Sequence, residues 1–302
     1  MDYSIYSESF LGECRKRDLS KGTMIQYRAN VNQFCAFLEA QEASVTEESV
    51  LTYFSSIRGR FKPASVNQKV ATVSLFLNHL EQLQVIPENP MRKLNVRQEK
   101  QTTKVKTVDM DAIAAVLRCA YFEKGFSKEG SCSYLYALRD IAVLELLFLT
   151  GMRVSELSQL APFDVDLEAK TVHIKGVGNQ DRILRIDNED TLRALSAYKI
   201  EFWYQMCETG HFFVNRQGRG LSDDSVRNMV KRYAKQACLS TEFTPKVLRD
   251  SVATFLADEG ADLMALQQML GHNCISQTQK YVQPEKRVLE TNHLRSQLKM
   301  RK

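Results

Sequence analysis

The sequence predicts a mainly α protein of two domains: an all-helical N-terminal one, and a mostly helical second one with a small antiparallel sheet. Three observations carry that reading. Apolar residues recur at three- and four-residue spacing through most of the chain, as helices with one buried face require. A stretch with no apolar rhythm interrupts the pattern near residue 100. In the second half, two short β-prone runs flank a glycine-containing turn. At 302 residues the chain is long enough for two domains, each with its own core.

The first helix is expected to follow a capping box of Thr23 and Gln26, with Met24, Tyr27, Val31, Phe34 and Leu38 at helical spacing. A second starts near Thr46 and buries Val50, Tyr53, Phe54 and Ile57. Pro63 suits the first turn of a third, where its missing N–H costs nothing. That helix places Val66, Val70, Val73, Leu77, Leu80 and Leu83 on one face, and Pro87 and Pro90 end it. Arg58, Arg60 and Lys62 lie between the second and third helices, with Lys69 just beyond. Basic side chains beside a helix N-terminus suit a phosphate backbone, although a solvated basic loop has the same composition.

Residues 92–106 hold six basic residues against one acid, Glu99, with no apolar pattern. That composition places a basic linker at 98–107, between a helical domain at 1–97 and a second domain at 108–302. Helices resume near Asp109 and again from Tyr136, where Ile141, Leu144, Leu147 and Phe148 repeat. Segments 171–175 and 182–186 read as two strands, and the chain from Asp223 onward reads as helices with short breaks.

Composition narrows the function classes. With 44% hydrophobic and 25% charged residues, the chain has the make-up of a globular protein. Its longest apolar stretch, 141–149, contains Glu145 and is too short to span a bilayer, so no membrane partner is expected. The first residues carry acids and no apolar signal region, which predicts a cytoplasmic protein. Seven cysteines without C-x-x-C spacing read as reduced thiols, with no zinc or other metal expected. A net charge of +5 decides nothing by itself.

Four segments of the second half are informative together. They are Thr150-Gly-Met-Arg153-Val-Ser-Glu156-Leu, the strand pair with Lys175, Thr244-Pro-Lys246-Val-Leu-Arg249-Asp250, and Leu270-Gly-His272 followed nine residues later by Tyr281. Singly, each has a plain structural reading: a surface arginine, a helix cap, a packed tyrosine. In this order they suit one phosphodiester. Two guanidiniums hold the non-bridging oxygens, a tyrosine attacks phosphorus, a histidine donates to an oxygen, and a lysine protonates the departing 5′-oxygen. Such chemistry needs neither ATP nor magnesium, so no cofactor is expected.

These motifs resemble the tyrosine recombinase, or phage integrase, family. TGxRxSEL, the Leu248-Arg249 pair, LGH and the following tyrosine occur in the family's order, and Thr23-x-x-x-Tyr27 with Phe34 and Phe37 looks like its helical core-binding domain. The resemblance implies a SAM-like core-binding domain and a catalytic domain of the DNA breaking-rejoining fold, together forming a C-shaped clamp on duplex DNA. It implies site-specific recombination by a homotetramer through a 3′-phosphotyrosine and a Holliday junction. Arg153 and Arg249 match the catalytic arginines, Glu156 the acid that steadies the first, His272 the histidine position and Tyr281 the nucleophile. Lys246 stands where the family usually has histidine. The tail after Pro284 is expected to pack on a neighbouring protomer.

Two positions depart from the pattern. Asp250 replaces a frequent histidine, a change expected to affect packing more than chemistry. Val177, in Gly176-Val177-Gly178-Asn179-Gln180-Asp181-Arg182, falls at the position of the family's hairpin lysine. Lys175, two residues earlier and on the same face of a continuing strand, either serves as the general acid or leaves that role weakened. The biological role is open between mobile-element integration or excision and Xer-like resolution. Rival readings are a type IB topoisomerase, a catalytically weakened accessory protein of the same fold, and a helix-turn-helix repressor that would leave the four motifs unexplained.

Overall fold

The computed structural model describes residues 2–17, 19, 21–94, 105–176 and 181–282. The chain divides into two compact units, Met1–Thr103 and Lys104–Lys302. Most of the linker expected at 98–107, Val177 and the tail beyond Val282 lie outside the described residues.

The first unit is built from helices α1 (Ser7–Arg15), α2 (Lys21–Ala40), α3 (Glu47–Arg58) and α4 (Pro63–Gln82). Thr46 caps α3 as its spacing predicts, in a reciprocal box with Ser49. Pro63 occupies the first turn of α4. The Thr23–Gln26 box is corrected: α2 begins at Lys21, so Thr23 sits inside its first turn, and the Gln26 amide donates to Asn30 Oδ1 at 3.0 Å. Helix α1, not evident from the sequence, packs Phe10, Leu11 and Cys14 into a core with Phe34, Tyr53 and Phe76.

Lys69 also departs from expectation. It is buried on α4, and its ammonium donates to Gln33 Oε1 at 2.6 Å and Asn30 Oδ1 at 3.1 Å, with the Phe61 ring 4.7 Å away. Burial holds its pKa below the usual lysine value. This cation serves the interior of the bundle, whereas Arg58, Arg60 and Lys62 are exposed.

The second unit begins with α5 (Met110–Phe126), capped by Asp109, and α6 (Cys132–Thr150). Helix α6 starts ahead of Tyr136 because Ser131 accepts from the Tyr134 amide and caps it. It is apolar on nearly every side and runs through the core. After a short α7 (Val154–Ser158) come strands β1 (Val165–Asp166), β2 (Thr171–Ile174) and β3 (Arg182–Arg185). They form an antiparallel sheet in the order β1-β2-β3, with Val172 opposite Leu184 and Ile174 opposite Arg182. β2 and β3 are the two strands the sequence predicts; β1 is too short to show alternation.

Helix α8 (Glu189–Thr209) was not anticipated. Asn188 caps it, and Gly210 ends it in the left-handed conformation. The remainder is α9 (Asp223–Gln236), α10 (Pro245–Asp258), α11 (Leu263–Leu270) and the single turn α12 (Ser276–Gln279). Among the described residues no helix is long and apolar enough to cross a membrane.

Candidate active site

The site is assembled from helix ends. Helix α6 stops at Gly151, whose φ of 56° lets its N–H return to the Leu147 carbonyl at 2.9 Å. The reversal delivers Arg153 to the start of α7. There Glu156 Oε2 accepts from the Arg153 backbone N–H at 2.7 Å, and Oε1 accepts from its guanidinium at 2.8 Å. Arg182, at the start of β3, grips the same carboxylate with two bonds of 3.0 and 2.9 Å. Burial disfavours the Glu156 anion, but the bonds from Arg182 and Arg153 outweigh it and hold its pKa below the usual value.

Helix α11 supplies the second anchor. Its last carbonyls have no partner within the helix and form its negative end, a place that favours cations. Met269 O accepts from Arg182 Nε at 2.7 Å, Leu270 O from Arg249 Nη2 at 2.7 Å, and Gly271 O from Arg153 Nη2 at 2.8 Å. Arg249, buried on α10, also donates to Gly151 O at 2.7 Å. Burial and the neighbouring Arg153 lower its pKa to about 10, which leaves it cationic at neutral pH.

Gly271 has no substitute here. Its φ is 61°, and a Cβ would lie 2.7 Å from Arg182 Nη1, which Glu156 and Met269 hold in place. Gly271→Ala is expected to cost about 1–2 kcal/mol from the left-handed backbone alone. With displacement of Arg182 added, thermal unfolding should show a midpoint lowered by roughly 4–8 °C. A variant that unfolds with the native protein would show that this turn tolerates a side chain.

His272 follows that glycine. Its Nδ1 pairs with the buried Thr278 hydroxyl at 2.8 Å, and its ring stacks on Tyr281 with centroids 6.1 Å apart. Burial, with Arg249 and Arg153 nearby, pushes its pKa down to about 4, so the imidazole is neutral at physiological pH. Tyr281 comes just after α12 and is 2% exposed. Burial, then the hydrogen bond to Asp250, raises its pKa well above the usual phenol value. A cleft of about 1090 Å³ is lined by Arg153, Lys246, Arg249, Asp250, His272 and Tyr281.

Five of the six predicted catalytic residues therefore meet in one cleft: Arg153, Lys246, Arg249, His272 and Tyr281. Lys175 does not. It follows β2, its ammonium lies 2.9 Å from Asp164 Oδ1, and it is absent from the described lining of the cleft. The physical reason is that β2 ends at Ile174, so strand pairing does not set the direction of the Lys175 side chain.

Asp250 is the largest correction. It was expected to alter packing; instead its Oδ1 accepts the Tyr281 hydroxyl at 2.6 Å. Lys246 and Lys280 lie 3.2 and 3.4 Å from its two oxygens. Arg182 was also missed, although it closes the hairpin pattern that had drawn attention to Val177. Among the described residues no cluster of His, Cys, Asp and Glu has the arrangement of a metal site.

Comparison with known proteins gives matches along nearly the whole chain. The model of the "Phage integrase family" matches residues 131–287, and that of the "Phage integrase, N-terminal SAM-like domain" matches residues 7–86. A tyrosine recombinase of Agathobacter rectalis is 32% identical over 293 residues, covering 95% of each chain. Tyrosine recombinase XerD of Halalkalibacterium halodurans is 33% identical over 277 residues, covering 88% of each. Among solved structures, XerH recombinase bound to a palindromic difH substrate superposes with a TM-score of 0.75 at 20% identity, over 95% of this chain and 84% of that one. A λ integrase dimer on a COC′ core site gives 0.69 at 16% identity, over 92% and 97%. These two likenesses are of fold.

Proposed function

This chain belongs to the phage integrase family of tyrosine-type site-specific DNA recombinases, and from that premise we propose how its own residues carry out the reaction. The carrying observation is the convergence of Arg153, Arg249, a neutral His272 and a buried Tyr281 on one cleft. The substrate is a duplex with a specific recombination site. Arg227, Lys231 and Lys235 of α9 extend the same cleft wall and suit its phosphate backbone. In the first unit Arg58, Arg60 and Lys62 make further backbone contacts, while Lys69 is committed to Asn30 and Gln33. λ integrase has been solved as a tetramer bound to a Holliday junction, and four protomers of this chain assemble likewise and exchange strands in pairs.

Attack by the Tyr281 oxygen builds negative charge on the non-bridging oxygens, and the two anchored guanidiniums neutralise it. The product is a 3′-phosphotyrosine, which keeps the bond energy for rejoining. In-line displacement puts the leaving 5′-oxygen opposite the phenol. Lys246, bonded to the carboxylate that holds Tyr281, stands on the entering side. The proton for the leaving oxygen therefore comes from the hairpin side, from Lys175. Its pair with Asp164 leaves the lysine side chain 58% exposed, so the ammonium is open to an incoming phosphate on its solvent side.

The test uses the native protein and a nicked suicide duplex whose core is the sequence it enriches from a randomised library. A covalent complex that survives denaturation should form. Its protease digest should carry a 3′-phosphate on the peptide containing Tyr281. Linkage to another residue, or to a 5′ end, would remove this reading.

A further inference from the structure

We propose that Asp250 is a catalytic residue of this recombinase: the base that takes the Tyr281 proton at strand cleavage and returns it at rejoining. The inference rests on the recombinase reading and adds a group that the sequence pattern had left to packing.

Three observations carry it. The contact is made to the reacting atom itself, since Oδ1 accepts from the Tyr281 hydroxyl at 2.6 Å, within the range for a charge-assisted O–H bond. The carboxylate is buried at 4% exposure, so water does not compete freely for the proton. It is also fixed from two sides, by Lys246 of its own helix and by Lys280 at the end of α12. A carboxylate that served only to pack α10 would need neither the phenol nor two ammonium groups.

The electrostatics agree. Arg249, Arg153, Lys246 and Lys280 surround the pair, and His272 faces it uncharged. Burial disfavours the Asp250 anion, but the bond from Tyr281 and the charges of Lys280 and Lys246 outweigh it and hold its pKa below the usual value. Asp250 is therefore ionised, and able to accept, across the neutral range. The phenol becomes acidic only as its oxygen bonds phosphorus, and an acceptor already in contact takes the proton during that step.

The step balances as follows. The Tyr281 Oη–P bond forms and the Oη–H bond breaks, with its proton passing to Asp250 Oδ1. The P–O5′ bond breaks, its electron pair goes to the 5′-oxygen, and that oxygen takes a proton from the general acid. On rejoining, the 5′-hydroxyl attacks phosphorus and gives its proton back to the group that had acted as general acid, the Tyr281 Oη–P bond breaks, and the departing phenolate recovers its proton from Asp250.

The experiment compares native protein, Asp250→Asn and Asp250→Glu on the selected suicide duplex from pH 6 to 9, with binding by mobility shift as the check on folding. Asparagine keeps an acceptor oxygen for the phenol but holds no proton. Expected are unchanged binding and a cleavage rate lowered roughly 10²–10⁴-fold near neutrality. The Asp250→Asn rate should climb about tenfold per pH unit as hydroxide replaces the base, while the native rate is flat over the same window. Asp250→Glu should recover part of the loss. Asp250→Asn cleaving as fast as native protein, or faster, overturns the proposal; the faster outcome would mark the bond as a restraint on the nucleophile. A deficit of constant size at every pH overturns it too, since a merely structural role predicts that. Failure of the native protein to trap DNA would sink the recombinase reading itself, and the native lane keeps the two failures apart.

Discussion

Tyr281→Phe is expected to bind the selected duplex as tightly as the native protein and to form no covalent complex with it. Phenylalanine keeps the ring that stacks on His272 and the volume that fills the space beneath the cleft, so the arginine clamp is left intact. What disappears is the phenol oxygen proposed to attack phosphorus. Water entering the gap would have to compete with a nucleophile whose placement is worth an effective concentration of at least about 10⁵ M, so loss of the adduct should be complete on any practical timescale. The measurement is a denaturing gel of the suicide reaction beside a mobility shift of the same mixture. A trapped complex from the variant would move the nucleophile elsewhere, with the exposed Tyr204 first in line.

Lys175→Ala should slow cleavage roughly 10²–10⁴-fold with little change in binding, because an unprotonated alkoxide is a poor leaving group. The defect should vanish on a duplex whose 5′-bridging oxygen is sulfur, since a thiolate departs without a proton. Arg153→Ala and Lys246→Ala should gain no such rescue: the first loses charge neutralisation on the phosphate, and the second loosens Asp250 on the entering side. The comparison separates the two faces of the displacement in one assay. Native-rate cleavage by Lys175→Ala on the oxygen substrate would remove this lysine from the mechanism. Val177→Lys would then be the variant to examine.

The parts of the site that were legible beforehand are those bound to short, fixed spacings. Arg153 follows a glycine that must end α6, His272 follows one that must end α11, and both turns write themselves as local motifs. Thr46 and Pro63 were readable for the same reason: a cap and a first-turn proline act within a few residues. Asp250 was misjudged because its partner is Tyr281, 31 residues away, and no local pattern announces that contact. Lys175 was misplaced because the direction of its side chain is settled by Asp164, a residue in the turn before β1. Helix α8 escaped notice since Ile200, Trp203 and Tyr204 put exposed apolar groups on its outer side and blur the buried stripe.

The end of α11 has one more consequence. Three guanidiniums, those of Arg153, Arg182 and Arg249, converge on its last carbonyls, with the Glu156 carboxylate between the first two, so their mutual repulsion has already been met during folding. An arriving phosphodiester exchanges its hydration shell for dipoles that are already aimed, and little reorganisation is left for the transition state to suffer. The same helix end is also a mechanical fulcrum. The ten residues from His272 to Tyr281 lead from it to the proposed nucleophile, and Asp250 ties that segment back to the helix bearing Arg249. On the proposed mechanism a displacement of α11 would reach Arg153, Arg249 and Tyr281 together, and cleavage competence would be a property of one lever arm rather than of separate side chains.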